Sequence, residues 1–429
     1  MSSSMTSPES PEEKRCRIGA PPAAIPDDIL FGEVLPRLPI KSLVRFRSVC
    51  RAWRNAVDGG AVARRRLALT QLAMLVIPRE DWHNNLAERS DELNFYRLLL
   101  TDGGAPAAAA AAAELLVEKA LPGSATVTHD VVPTHCDGLV AVATRAGEVF
   151  VCNPATRELV MLPPGTPSAR DDACAWGALP AAIAYDASRG SYVVARYFYR
   201  EFQEAKDANG NFVLLNYDIG HEVFTLAAGA AAGGWELTGD PPHPIAFARP
   251  TCTREAIYWC ADYPDEQNAL VRFDLRDRAF DVLPPPPPGA DNYSGEQKVT
   301  ELEGKLYYSD YVPGSDTAVD VWVADEAGRQ RRPEWKLRCR LDFDDGVLGG
   351  ESVLLVADDG DELLVVVDYI KLYRYSDRCK SVSLVMDMAK ELVYQREDGS
   401  LLYGDDEGKY YKHHVLPYVE SLVSVRARQ

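Results

Sequence analysis

The sequence predicts an α+β multidomain chain: a small N-terminal three-helix unit, then a large all-β, propeller-like domain of about six blades. Three observations carry this. Residues 25–66 space their apolar residues as helices do and are rich in Arg. Residues 67 to about 417 are β-branched and aromatic runs, broken every few residues by Gly, Pro, Asp and Asn. Within that region one hairpin pattern returns every 51–65 residues. The chain has 429 residues, 46% of them hydrophobic and 26% charged, enough for a core and for two or three domains. Residues 1–24 are polar and rich in Ser, Pro and Glu, which suits a flexible tail.

The helical unit begins at Ile25. Asp27 is placed to cap a first helix, because its carboxylate can accept the unpaired N–H groups of the first turn. Ile29, Leu30, Val34 and Leu35 give that helix one apolar side. Pro39 interrupts it, and a second helix can start near Lys41 or Ser42. Phe46, Val49, Cys50, Trp53 and Val57 then form a helical stripe, with Arg45, Arg47, Arg51 and Arg54 on the other faces. Three short helices in about 40 residues bury little surface by themselves. Such a unit leaves an apolar face for a partner, or caps the domain that follows. Trp53 fits either the interior of the unit or its partner face.

Residues 25–53 resemble the F-box. The ordered match includes Pro26, Asp28, Ile29, Leu30, Val34, Leu35, Leu38, Pro39, Lys41, Leu43, Arg45, Phe46, Val49, Cys50 and Trp53. The resemblance implies docking onto a Skp-type adaptor and, through it, a cullin–RING ubiquitin ligase. The residues it assigns to that contact are Ile25, Pro26, Ile29, Leu30, Val34, Leu35, Leu38, Pro39, Leu43, Phe46, Val49, Cys50 and Trp53. Gly32 and Pro36 depart from a regular helix. Glycine costs about 1 kcal/mol and an interior proline about 3 relative to Ala, and Pro36 removes a bond to the Gly32 carbonyl. A kink or early stop is expected there.

In the β region, Val149–Pro163 and Leu270–Pro284 share a plan: a strand-like run, a turn opening at Asn153 or Asp274, an Arg four residues on, a second run, then Leu-Pro. Phe212–Leu226 reads as a weaker copy turning at Asp218, and 321–325 and 372–377 as further first strands. The near-period suits four-stranded antiparallel blades, and Asn or Asp at the turn can bond its own backbone. Residues 72–77 and 95–101 could start the ring, and Tyr418–Val425 could close it. A β-sandwich array is the competing arrangement. Ala105–Ala113 reads as a loop insertion or, with 114–120, a helix; 227–234 and 284–288 read as connections.

Cys-Asp-Gly-Leu-Val at 136–140, Asn-Pro-Ala-Thr-Arg-Glu at 153–158 and Pro-Tyr-Val-Glu-Ser-Leu-Val at 417–423 resemble signatures of plant F-box-associated domains. The resemblance implies that the β domain holds a target protein, without saying which residues do so. The domains expected are therefore a tail at 1–24, an F-box at 25–66 and an F-box-associated β-propeller-like domain at 67–429.

The net charge of −18 divides unevenly. Residues 26–66 carry nine basic and four acidic residues, net +5, so the β region carries −23. The acidic part disfavours nucleic acid and anionic membranes, and the cationic helices suit steering toward the acidic adaptor that the resemblance implies. No apolar signal segment and no run of 18 apolar residues occurs. Nine cysteines without close pairing read as reduced thiols of cytoplasm or nucleus.

No nucleotide-binding, nucleophile-elbow or metalloprotease motif is present, and no cofactor is expected. His129, His135 and Cys136 lack a second ligand pair, and His413-His414 reads as exposed. Acidic clusters at 344–346, 358–362 and 405–407 read as hairpin turns. Trp176, Tyr197, Phe198, Tyr199, Trp235, Tyr263, Tyr293 and Tyr311 fall near expected loops, where a propeller builds a binding face. The reading that follows is a non-catalytic substrate receptor of a Skp–cullin–F-box ligase. A carbohydrate-acting propeller enzyme, and a scaffold whose F-box no longer binds the adaptor, are the alternatives.

Overall fold

A computed structural model of the chain describes residues 25–38, 40–58, 62, 73–80, 89–98, 111–123, 125, 127–128, 133–144, 146–169, 179–206, 212–226, 233–246, 248–261, 269–283, 299–325, 333–348, 353–403, 405–406 and 409–425. The tail at 1–24, Pro39, His129, Trp176, Tyr263, Tyr293 and the prolines at 284–288 lie outside the described residues.

The first helical segment is continuous but irregular. An α-turn over Asp27–Ile29 passes into a π-turn over Leu30–Val34, then a 3-10 turn over Leu35–Arg37. The amide of Leu35 bonds the Leu30 carbonyl five residues back, and Pro36 sits at the start of the 3-10 turn, where its missing N–H is tolerated. The predicted kink is thus taken up by changing helix type. Asp27 opens the helix but makes no side-chain cap. Two further helices span Ile40–Phe46 and Arg51–Asp58. The stripe drawn through Phe46, Val49, Cys50, Trp53 and Val57 is broken between them: residues 47–49 form a turn, and Val49 and Cys50 are exposed.

The β domain is a six-bladed propeller. Blades 1 to 5 are four-stranded antiparallel sheets in sequence order, with first strands Thr134–Cys136, Ala182–Asp186, Thr251–Cys252, Val299–Leu302 and Val353–Asp358. Blade 6 joins both ends of the domain. Its first strand, Lys409–Tyr418, pairs with Ala73–Glu80, which is followed by Glu92–Leu98 and Ala111–Ala120. The register runs from Ala73 opposite Tyr418 to Glu80 opposite Tyr411. Closure therefore falls to 409–418, not to 418–425, which leaves the sheet after Tyr418. The 111–120 segment is a strand, not helix or loop, and Leu392–Gln395 pairs with it in parallel. First strands of neighbouring blades touch in succession and make the inner ring.

Apolar alternation puts one side of each blade against the next, and the core is a series of inter-blade clusters. One, built on Tyr197, Tyr199, Trp259 and Phe273, joins blades 2 and 3. Another, with Met74, Tyr96, Leu372 and Tyr394, joins blade 5 to blade 6. A third, with Leu75, Phe95, Phe150 and Tyr418, joins blade 6 to blade 1.

The recurring hairpin has a clear physical basis. The Asn153 carboxamide accepts the amides of Ala155 and Thr156 at 3.0 and 3.3 Å, and Arg157 takes φ 59°. Asp274 does the same with Arg276 and Asp277 at 3.0 and 2.9 Å, with Arg278 at φ 56°. Phe212–Leu226 is different. It is one unbroken strand paired along Ser191–Lys206, with Asp218 opposite Glu201 in mid-strand. Asp218 is there as an ion-pair partner of Arg200 at 2.7 Å, and Gly220 permits close approach, since a Cβ would lie 2.4 Å from the Phe198 ring.

Candidate functional site

The helical module keeps some apolar residues for itself and leaves others in solvent. Leu35 and Leu43 are fully buried, with Val57 and Val62, and Phe31, Leu38, Phe46 and Trp53 pack around them. Trp53 meets Phe46 edge-on at 5.0 Å and Phe31 at 6.3 Å, so its ring belongs to the interior of the module. In contrast, Ile25 is 57% exposed, Ile29 47%, Val34 37% and Val49 60%. Pro26 and Cys50 are also exposed, and Leu30 is half-buried. Of the residues that the F-box resemblance assigned to the adaptor, then, Leu35 and Leu43 build the core. Ile25, Pro26, Ile29, Val34, Val49 and Cys50 face outward, among the exposed Arg45, Arg51 and Arg54.

The module is seated on the propeller through charge and through one leucine. Lys41 meets Glu114 at 2.6 Å, and Arg97 bridges Glu114 to Glu420. Burial alone would raise the Glu114 pKa, but its bonds to Lys41 and Arg97 outweigh that and hold it low. Leu422 reaches into the helical core beside Leu38 and Ala56. Residues 419–425 thus act as a strap lying across blade 1. The Asn153 side-chain amide donates to the carbonyls of Ser421 and Val423, at 3.1 and 2.7 Å. The Val425 amide donates to Glu158 at 2.9 Å. Gly138, at φ 79°, has no room for a side chain, because a Cβ would lie 2.4 Å from the Val419 carbonyl. The three sequence signatures at 136–140, 153–158 and 417–423, far apart in the chain, are brought together at this strap.

The propeller has two unlike faces. In antiparallel blades the turns joining first to second and third to fourth strands share one face; blade-to-blade connections and second-to-third turns share the other. Glu114, at the start of a fourth strand, and Glu420, just past a first strand, put the helical module on the former. On the latter stands a long ribbon formed by Ser191–Lys206 and Phe212–Leu226, carrying the exposed Leu215 and Tyr217.

Along the axis, the first strands of blades 1 and 3 touch across the centre, so the channel is narrow. A small cavity there is lined by Thr134, His135, Arg249, Pro250, Thr251, Cys252, Thr300 and Glu301. Burial, reinforced by Arg249, drops the His135 pKa to about 3, so its ring is neutral. Burial raises the Cys252 thiol to about 12 and Cys136 well above its ordinary value.

The aromatic expectation is corrected in part. Tyr197, Phe198 and Tyr199 are fully buried, because the blade 2 strands extend well past the loop position the sequence suggested. Trp235 is half-buried and donates to the Pro163 carbonyl at 2.8 Å, and Tyr311 is half-buried. His413 and His414 are buried, not exposed, since they lie on the innermost strand of blade 6. His413 Nδ1 and the Tyr394 hydroxyl share a hydrogen bond of 2.6 Å. The acidic clusters at 344–346 and 358–362 are turns, as expected. Among the described residues, no group of three His, Cys, Asp or Glu is placed to hold a metal ion.

A family model described as the F-box associated beta propeller domain matches residues 113–339, more than half of the chain. The chain belongs to this family. A model described as the F-box domain matches residues 25–60, the helical module. In this F-box protein both modules are of kinds that mediate protein interaction rather than catalysis. A putative F-box/kelch-repeat protein of Arabidopsis thaliana is 24% identical over 283 residues, covering 61% of this chain and 60% of that protein. A putative F-box protein of the same plant is 25% identical over 315 residues, covering 72% and 76%. The chain thus spans about 60% of the length of the first relative. The solved structure of U3-55K aligns over 80% of this chain at 8% identity and a TM-score of 0.36, a score at which likeness carries no argument.

Proposed function

We propose that this F-box protein is the substrate-recognition subunit of a Skp–cullin–F-box ubiquitin ligase. The observation that carries the reading is the outward apolar set Ile25, Ile29, Val34 and Val49 on the F-box module. The module's own core and its seat on the propeller leave these side chains uncovered, and apolar side chains amid cations suit a partner of opposite charge. Docking uses Ile25, Pro26, Ile29, Val34, Val49 and Cys50 directly, while Leu35 and Leu43 act by holding the helices. The propeller presents a target protein, and the chemistry is proximity: target lysines are held at high effective concentration near activated ubiquitin. The work is done in cytoplasm or nucleus, in keeping with the seven described cysteines, all free.

The test is Ile29→Asp with Val49→Asp. Adaptor co-purification should fall at least 100-fold, with thermal unfolding unchanged because both side chains are exposed. Retained binding would overturn the assignment. Leu35→Asp is unsuited to this purpose, since it would place a charge in the helical core. The reading as a scaffold without adaptor rests on Gly32 and Pro36. A wild-type chain that fails to bind any Skp-type adaptor would favour it.

A further inference from the structure

We propose that the central channel of the propeller is an oxyanion site, in which Arg249 receives one phosphate or carboxylate group. Arg249 lines the channel cavity just ahead of the first strand of blade 3, on the face away from the F-box module. Its Nη1 is sealed from solvent and makes no hydrogen bond among the described residues. A guanidinium carries five donors in a fixed fork suited to a planar or tetrahedral oxyanion. Leaving a sealed guanidinium nitrogen without a partner is costly, so the site is built for something that arrives.

The neighbouring groups supply no counter-charge. His135 is neutral, and the thiols of Cys136 and Cys252 are kept protonated by burial. Glu301 shares the cavity wall but is turned elsewhere: its Oε1 accepts the Gly304 amide at 2.5 Å, and it forms no ion pair with Arg249. The hydroxyls of Thr134 and Thr251 are spent on the Ala181 and Val299 carbonyls, each at 2.8 Å. Arg249 is therefore the cation of this wall, and its Nη1 is unspent among the described residues. The cavity that Arg249 lines is walled by first-strand residues of blades 1, 3 and 4, namely His135, Cys252 and Glu301, which puts it at the axis and not in one blade. The space is small, about 20 Å³, room for an oxygen or two of an oxyanion entering from the open side and too small for a nucleotide or a sugar. The anion is either a free ion or an acidic group carried by a protein at that face. This goes beyond the receptor reading and does not depend on adaptor docking.

The experiment titrates the full chain with sodium phosphate, then with acetate, at constant ionic strength, reading unfolding temperature and heat of binding. Wild type should show a saturable rise of a few degrees and one site. Arg249→Gln should lose both, and its ion-free unfolding temperature should equal or exceed that of wild type, because an unpaired buried charge has been removed. Arg249→Lys should bind at least tenfold more weakly, lacking the fork. Two results overturn the proposal: phosphate binding undiminished in Arg249→Gln, or none in wild type. An ion-free Arg249→Gln that is clearly less stable also overturns it, since the guanidinium would then have a structural partner. A capped tetraglutamate peptide that displaces phosphate assigns the site to protein-borne carboxylates; phosphate binding without displacement assigns it to the free ion.

Discussion

At the scale of single residues, stability is concentrated where charge is buried and where a side chain has no room. Arg196 and Glu222 form a buried pair at 2.7 Å, tied to blade 1 and the connection after it by the Gly147 and Thr166 carbonyls and the Thr166 amide. Gly165 lies over this pair, and a Cβ there would come within 2.2 Å of Glu222 and 2.3 Å of Arg196. Gly165→Ala is expected to destabilise the chain by about 2 kcal/mol, read from urea midpoints, through overpacking and loss of ion-pair geometry. Arg338 grips Asp358 with two nitrogens at 3.0 and 3.1 Å and Asp377 with a third, linking blades 4 and 5. Burial would raise the Asp358 pKa, but bonds from Arg338, the Gly360 amide and the Tyr307 hydroxyl lower it below the ordinary value. Arg338→Ala strands that carboxylate and should cost about 3 kcal/mol. The buried histidines give a pH signature. His221 and His413 have their pKa values lowered by burial from 6.5 to about 3. Between those values the unfolded chain binds protons that the folded chain does not, so stability falls as pH drops from about 6.5 toward 3. Urea midpoints at pH 7 and pH 5 should show it, with a flatter slope in His221→Gln/His413→Gln. Invariance of the midpoint would contradict the neutral buried state.

At the scale of elements, the strap at 419–425 couples the two modules. Removing residues 419–429 takes away Leu422 from the helical core, Glu420 from Arg97, and both acceptors of Asn153. The truncated chain should keep its propeller, whose ring closes at 409–418, while the F-box module becomes readily cleaved by protease. Equal protease resistance in the two chains would show that the strap does not hold the module. This is also where the legibility of the sequence is clearest. The Asn153 and Asp274 turns were readable because an Asx side chain bonding its own backbone is a local event. The continuous strands of blade 2 were not, because Asp218 and Gly220 look like turn residues until Arg200 and Phe198 on the neighbouring strand are in view. The helix at 27–37 was legible as strained at Gly32 and Pro36, though the π-to-3-10 resolution depends on packing of Leu35. The burial of His413 and His414 could not be read locally, since only ring closure makes their strand the innermost.

At the scale of the whole molecule, the domains sort by charge and by face. The cationic F-box module sits on one face through Lys41, Glu114 and Arg97, while the channel cation and the long ribbon of blade 2 lie toward the other. Under the proposed receptor role, an adaptor docked on the first face and a target held on the second would be kept apart. The near-period of the hairpins made the ring legible in outline. The apolar residues of the helical module were legible as a set but not as a division, because a single apolar pattern holds both the helical core and an exposed face: Leu35 and Leu43 went inward, Ile29 and Val49 outward. The most direct measurement is the affinity of the full chain for a purified Skp-type adaptor bound to the N-terminal part of its cullin. The account predicts a one-to-one complex with a dissociation constant of about 1 μM or tighter, abolished by Ile29→Asp with Val49→Asp. No complex at tens of micromolar, from a chain whose thermal unfolding is cooperative, would contradict it.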